Sequence, residues 1–159
     1  MKKVIDISWL SAFTFFMLLT LSSCLEAGLD ELESYNDAEI RGFKFEHRWE
    51  QTINGGNNTQ LGVVSLPTNV KIEGNTVYCT ITVPEAGNPS FFTEEVRNNV
   101  KLEKIVGIAT ISTASTINPL EGAPALGKWG DFSKVSKYKV VAADGKTTKE
   151  WIIQCTLIK

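Results

Sequence analysis

The sequence YKVVAADGKTTKEWIIQCTL, which spans residues 138–157, decides the fold of this protein. In its first part every second residue is apolar or aromatic, and from Trp151 onward the apolar residues again share one face. The Asp144-Gly145 dipeptide separates the two runs, and Asp-Gly in such a position is the strongest short-range signal for a β-hairpin. The segment therefore predicts two antiparallel strands joined by a turn at Asp144-Gly145.

Shorter patterns elsewhere in the chain also predict strands. Residues 38–50 alternate with period two, and residues 61–66 and 71–83 are rich in apolar and β-branched side chains. Residues 93–99 predict one helical turn, and residues 118–131, which hold two prolines, predict a long loop. The apolar face of the first strand contains Phe43, Phe45, His47 and Trp49. Several short strands with turn signals and almost no helix predict a single-domain, all-β antiparallel sandwich.

The N-terminus has the pattern of an export signal. Two lysines precede a mostly apolar run at residues 9–21, which is too short to predict a stable membrane span. A Ser-Ser pair then leads to Cys24, and this arrangement resembles the bacterial lipobox, in which the signal peptidase cuts before a lipidated cysteine. We therefore expect a lipid attached to the sulfur of Cys24. The alternative is a secreted protein in which this cysteine is incidental.

The prediction for the chain as a whole is a lipoprotein signal peptide at residues 1–23, an acidic linker at 24–36 and the β-sandwich at 37–159. Each buried CH₂ of an acyl chain contributes about 0.8 kcal/mol, and more than one chain gives stable anchoring to a membrane. Acidic residues just after the lipidated cysteine resemble a signal for transfer to the surface of Gram-negative cells. We therefore expect anchoring in the outer membrane at the cell surface, with its periplasmic face as the alternative.

The composition excludes several classes of function. The chain has 16 basic and 18 acidic residues, so there is no surplus of positive charge to bind nucleic acid. One histidine and three cysteines are too few for a typical zinc site, and we predict neither a metal nor a cofactor. No nucleophile elbow, zinc-binding helix motif or phosphate loop occurs. We therefore expect a protein that is not an enzyme, with His47 as a neutral, hydrogen-bonded residue at the edge of the core.

Several segments together resemble a known family. The hairpin at 138–151, with its Asp-Gly turn and the Thr-Thr-Lys step before Trp151, is similar to the motif that closes immunoglobulin-like, cadherin-like domains of exported bacterial proteins. The other matching segments are ISTA (111–114), NPLEGAP (118–124), WGDFS (129–133), AEI (38–40) and FKFEHRW (43–49). The chain resembles uncharacterised lipoproteins of Gram-negative gut-type anaerobes. This resemblance implies an immunoglobulin-like sandwich of unknown function, often found in glycan-uptake systems, and supplies no catalytic residues.

Two groups of residues are candidate sites. Trp129 lies in the predicted loop close to Asp131, and an aromatic ring beside polar groups is what a sugar-binding platform needs. The alternative for Trp129 is a side chain that plugs the open end of the sandwich. Cys79 and Cys155 both lie on apolar strand faces. They predict either a disulfide, as an oxidising compartment allows, or two buried free thiols.

Two functions follow from these expectations. The first is a non-catalytic, lipid-anchored binding or accessory protein of the cell envelope that assists glycan capture in a polysaccharide-utilisation system. The second is a structural or adhesion module that docks to another envelope protein through a sheet edge or face.

Overall fold

The computed structural model describes residues 35–52 and 58–159 of the chain. The predicted signal peptide, Cys24 and most of the predicted linker lie outside these residues, so their assignments stay predictions. The described residues belong to one unit, which starts at Ser34 and ends at Lys159. No helix in this part of the chain is long and apolar enough to cross a membrane.

The described chain is built almost wholly of strands. In chain order the elements are β1 (Ile40–Thr52), β2 (Thr59–Leu66), β3 (Thr68–Glu73), β4 (Thr76–Thr82), α1 (Glu94–Asn98), a 3₁₀ turn (Leu102–Lys104), β5 (Ile105–Ile111), β6 (Thr116–Leu120), β7 (Trp129–Gly130), β8 (Ser136–Val141) and β9 (Thr148–Ile158). The strands form two sheets. Sheet 1 has the order β2-β1-β5-β7, and sheet 2 has the order β3-β4-β9-β8-β6.

The predicted all-β sandwich is confirmed. All pairs of neighbouring strands among the described residues are antiparallel, except that β4 and β9 run parallel in the middle of sheet 2. Strands that lie far apart in the chain can pair in either direction, because no short turn fixes the direction of the second strand.

The core lies between the two sheets. Phe45 of sheet 1 packs against Phe132 with ring centroids 5.2 Å apart, and Trp151 and Tyr138 of sheet 2 are fully buried. The indole Nε1 of Trp151 donates a hydrogen bond to the carbonyl of Ala38 at 3.1 Å. The apolar faces that period two predicts are therefore the faces that the sandwich buries.

The hairpin between β8 and β9 has the predicted form. Tyr138 pairs directly with Trp151, so both rings lie on the buried face. In the turn the carboxylate of Asp144 accepts hydrogen bonds from the backbone N–H groups of Lys146 and Thr147, each at 2.8 Å. Gly145 has a φ of 66°, in the left-handed region that glycine adopts without strain.

The predicted loop at 118–131 is shorter in the structure. β6 extends through Pro119 to Leu120, and it is an edge strand that pairs only with β8. A proline lacks the N–H that a ladder needs, but an edge strand leaves half of these groups unpaired, so proline is tolerated there. At the other end of the loop Trp129 and Gly130 form β7, which pairs with β5.

Candidate functional site

A cleft with aromatic walls opens between the end of β1 and α1. Its volume is about 490 Å³, within the range of small-molecule sites in proteins. We call it the aromatic cleft. Its lining includes His47, Trp49, Glu50, Phe91, Glu95 and Asn99.

The indole ring of Trp49 packs over a glycine on the neighbouring strand. It pairs with Gly62 of β2, and a Cβ atom at Gly62 would lie only 2.6 Å from Cζ2 of the indole ring. The ring therefore occupies the space that any larger residue at position 62 would need. It stacks on His47 with centroids 5.6 Å apart and lies 6.0 Å from the ring of Phe91.

The segment before α1 places Phe91 and Glu95 on the opposite wall. Phe92 is fully buried, and its N–H bonds to the carbonyl of Pro89 at 2.8 Å, which leaves the neighbouring Phe91 44% exposed. Thr93 caps α1 by accepting a hydrogen bond from the N–H of Val96. The wall is thus fixed by a buried anchor and a helix cap.

His47 forms part of the inner wall. It is 4% exposed, and its Nδ1 atom has no hydrogen-bond partner within residues 35–52 and 58–159. Burial, followed by the nearby charge of Lys104, lowers the pKa of the imidazole below its ordinary value near 6.5, so the ring is neutral at pH 7. The burial and neutrality of His47 agree with the sequence-based expectation, but the hydrogen bonding is incomplete.

A second concave surface surrounds Trp129, the aromatic residue that the sequence singles out. It has a volume of about 330 Å³ and is lined by Arg48, Leu61, Val106, Gly127, Lys128 and Trp129. We call it the Trp129 surface. The indole is 46% exposed, its Nε1 donates to the carbonyl of Arg48 at 3.2 Å, and Nζ of Lys104 lies 5.3 Å from the ring centroid.

The strand pairing places Trp129 on the outer face of sheet 1. Trp129 pairs with Val106, which pairs in turn with Glu46. Paired residues share a face, and the residues on either side of Glu46, Phe45 and His47, belong to the buried face. The indole therefore points away from the space between the sheets.

Asp131 does not join Trp129 at this surface. Its Oδ1 atom accepts hydrogen bonds from the N–H and the hydroxyl of Ser133, at 2.8 and 2.5 Å. The side-chain bond with Ser133, followed by the backbone bond, lowers the pKa of Asp131. Asp131 lines a separate depression of about 280 Å³ together with Lys134 and Lys137.

Cys79 and Cys155 are brought together. They are direct partners in the parallel pairing of β4 with β9, and both are free thiols in the structure. The neighbouring Cys79 thiol, followed by burial, raises the pKa of Cys155. This adjacency is what a disulfide between Cys79 and Cys155 requires, and the disulfide stays a prediction.

No group of three or more His, Cys, Asp or Glu side chains within residues 35–52 and 58–159 is placed to hold a metal ion.

Together the fold and the two surfaces define a small β-sandwich with exposed aromatic residues in shallow sites. The chain belongs to the DUF5018-related family, whose sequence profile matches residues 40–154. A crystal structure of a Bacteroides fragilis protein described as secreted is 32% identical, with a TM-score of 0.70; the alignment covers 79% of this chain and 99% of that one.

A Bacteroides thetaiotaomicron protein described as a glycoside hydrolase is more distant. It is 17% identical with a TM-score of 0.46, and the alignment covers 83% of this chain but only 28% of that one. The comparison with curated proteins gives no match.

Proposed function

We propose that this protein is a non-catalytic, lipid-anchored protein of the cell envelope that binds glycans through the Trp129 surface. The observation that carries the proposal is the indole of Trp129, which is 46% exposed on the outer face of a sheet and held there by a hydrogen bond to Arg48. A rigid, accessible aromatic face beside polar groups suits the apolar C–H face of a sugar ring, and rigidity lowers the entropic cost of binding.

The charges around Trp129 favour acidic sugars. Lys104 lies over the ring and Lys128 precedes it, and both side chains are exposed. Arg48 contributes a third positive charge, which Glu46 partly offsets through an ion pair of 2.7 Å. A surface with more cations than anions attracts uronic acids over neutral sugars, and this attraction weakens in salt.

The location outside the cytoplasm rests on the N-terminal pattern and on a relative. The lipobox-like sequence before Cys24 predicts a lipid anchor. The Bacteroides fragilis relative, which is 32% identical, is described as secreted. Both support a location outside the cytoplasm, and the N-terminal pattern alone supports a tether in the outer membrane at the cell surface, with the periplasmic face as the alternative.

Replacing Cys24 by Ala should release the protein from the membrane fraction, because the sulfur that would carry the acyl chains is lost. Fractionation of the cells that make this protein, with mass spectrometry of its N-terminal peptide, measures the change. A Cys24→Ala protein that still sediments with membranes would contradict the anchor, whatever its glycan binding.

Replacing Trp129 by Ala should weaken binding of an acidic polysaccharide at least tenfold, which corresponds to about 1.4 kcal/mol. Affinity electrophoresis and calorimetry with polygalacturonate measure the loss, with dextran as the neutral polysaccharide. Tyr78→Ala is the matched control, because Tyr78 is similarly exposed, at 38%, on the other sheet. Undiminished binding to Trp129→Ala, or no binding of the polysaccharide by the wild-type protein, would refute the proposed site.

Docking to another envelope protein is the second candidate function. The exposed side chains of Leu61 and Val63 on β2, 49% and 38% accessible, favour it because they lie on the same outer face as Trp129. Apolar groups on a sheet face are a common feature of protein interfaces. A protein that co-purifies with the wild-type chain but not with Leu61→Ser, with no affinity for polysaccharide, would favour this function.

A further inference from the structure

We propose that the aromatic cleft is a second ligand site, and that it takes a sugar ring carrying a protonated amine. This inference does not depend on the proposed function, because the cleft and the Trp129 surface have different lining residues. Three features of the cleft support this proposal: the aromatic walls, the carboxylates and the unpartnered nitrogen of His47.

The aromatic walls supply the apolar part of the site. Trp49 is partly exposed and Phe91 is 44% exposed, and their ring centroids are 6.0 Å apart with the planes inclined by 39°. An aliphatic ring face can pack against one of these side chains while its substituents remain free to form hydrogen bonds. A cation attached to that ring gains further from the negative face of an aromatic ring.

The charged side chains among the described lining residues are both acidic, Glu50 and Glu95. The charges of Lys104 and Lys159 act on His47 at the inner wall, but neither lysine is among those lining residues. Within the described parts of the chain, neither carboxylate takes part in an ion pair. A ligand with a positive charge would therefore find partners that are not already neutralised by the protein, while a uronic acid would be repelled.

His47 adds an acceptor at the inner wall. Burial, followed by the charge of Lys104, lowers the pKa of His47, so the ring is neutral and can accept a hydrogen bond. A neutral imidazole has one acceptor nitrogen and one N–H, and Nδ1 is a ring nitrogen that no described residue satisfies. A buried polar atom without a partner is destabilising, so a small turn of the ring toward the cleft that lets a ligand ammonium or hydroxyl donate to Nδ1 would be favourable.

The walls of the cleft are formed before any ligand arrives. Gly62 leaves room for the Trp49 ring, the buried Phe92 fixes the position of Phe91, and Thr93 caps the helix that carries Glu95. A preformed site avoids the cost of ordering these side chains on binding.

The test compares three trisaccharides that differ mainly in the group on each ring: the glucosamine trimer, its N-acetylated form and a glucose trimer. Binding is measured by calorimetry and tryptophan fluorescence at about pH 6, well below the usual α-amino pKa of about 7.7–8.0, so that the amine is mostly protonated. We expect the glucosamine trimer to bind at least tenfold more tightly than the two uncharged sugars. Equal binding of all three, or no binding of the glucosamine trimer, would overturn the proposal.

Single variants then locate the site. Glu95→Gln should weaken binding of the glucosamine trimer at least fivefold, and Phe91→Ala at least tenfold. Glu94→Gln is the matched control, since Glu94 is an exposed carboxylate on the same helix but does not line the cleft, and it should change binding by less than twofold. Loss of binding in Trp129→Ala but not in Phe91→Ala would place the amine at the other surface and refute this assignment.

Discussion

Replacing Trp151 by Ala should lower the free energy of unfolding by about 3–5 kcal/mol, the usual range for truncating a large aromatic residue in a core. The indole is 1% exposed and lies on β9, which is flanked by β4 and β8 in the middle of sheet 2. Its Nε1 satisfies the carbonyl of Ala38, and Nζ of Lys149 lies 4.3 Å from the ring centroid. The substitution removes apolar burial, a hydrogen bond and a cation–π contact together.

Urea denaturation followed by circular dichroism measures this loss. Trp129→Ala is the natural comparison, since its ring is 46% exposed and the substitution should cost less than about 1 kcal/mol. If Trp151→Ala does not fold, Trp151→Phe keeps the test open, because it retains most of the apolar area and should cost about 1–2 kcal/mol. Equal losses for positions 129 and 151 would contradict the buried placement of Trp151.

The strands that alternate with period two were predictable from the sequence, because one buried face imposes that pattern on each strand. This is clearest in β1, where the residues expected inside are those that the sandwich buries or half-buries. The parallel pairing of β4 with β9 was not predictable, since it joins residues more than 70 positions apart and no local pattern encodes its direction. The adjacency of Cys79 and Cys155 depends on this pairing.

The candidate sites also depend on contacts that local sequence patterns do not determine. Trp129 was predicted in a loop, either as a sugar platform or as a plug for the open end of the sandwich, but the structure places it in β7, and its two-residue spacing from Asp131 does not bring the side chains together. β7 ends at Gly130, and Asp131 turns to bond with Ser133 instead. Sequence proximity outside a regular strand does not determine which surface a side chain joins.

The aromatic cleft was missed because its walls come from distant segments. The alternation of β1 predicts only that Trp49 lies on the apolar face of that strand, and no local pattern connects it with Phe91. One signal was present: Gly62 lies inside β2, and an isolated glycine in a strand often marks the close approach of another group. Here that group is the indole ring of Trp49.

Replacing Gly62 by Ala should therefore disable the aromatic cleft without altering any residue that lines it. The new Cβ would lie 2.6 Å from Cζ2 of Trp49, so the indole must move away from β2. We expect a loss of about 1–3 kcal/mol in the free energy of unfolding, as for other overpacked sites. Binding of the glucosamine trimer should weaken more than tenfold, because the stacking wall is displaced.

Gly42→Ala is the matched control for this substitution. Gly42 lies on β1, and a Cβ there would have no neighbour closer than 3.9 Å, so it should leave both stability and binding nearly unchanged. The Trp129 surface supplies a second control, since polygalacturonate binding should persist in Gly62→Ala. If Gly62→Ala retains full affinity for the glucosamine trimer, Trp49 does not form the binding wall. If Gly62→Ala loses affinity for both the glucosamine trimer and polygalacturonate, the substitution perturbs the whole domain. That result would contradict the expectation that it disables the aromatic cleft alone.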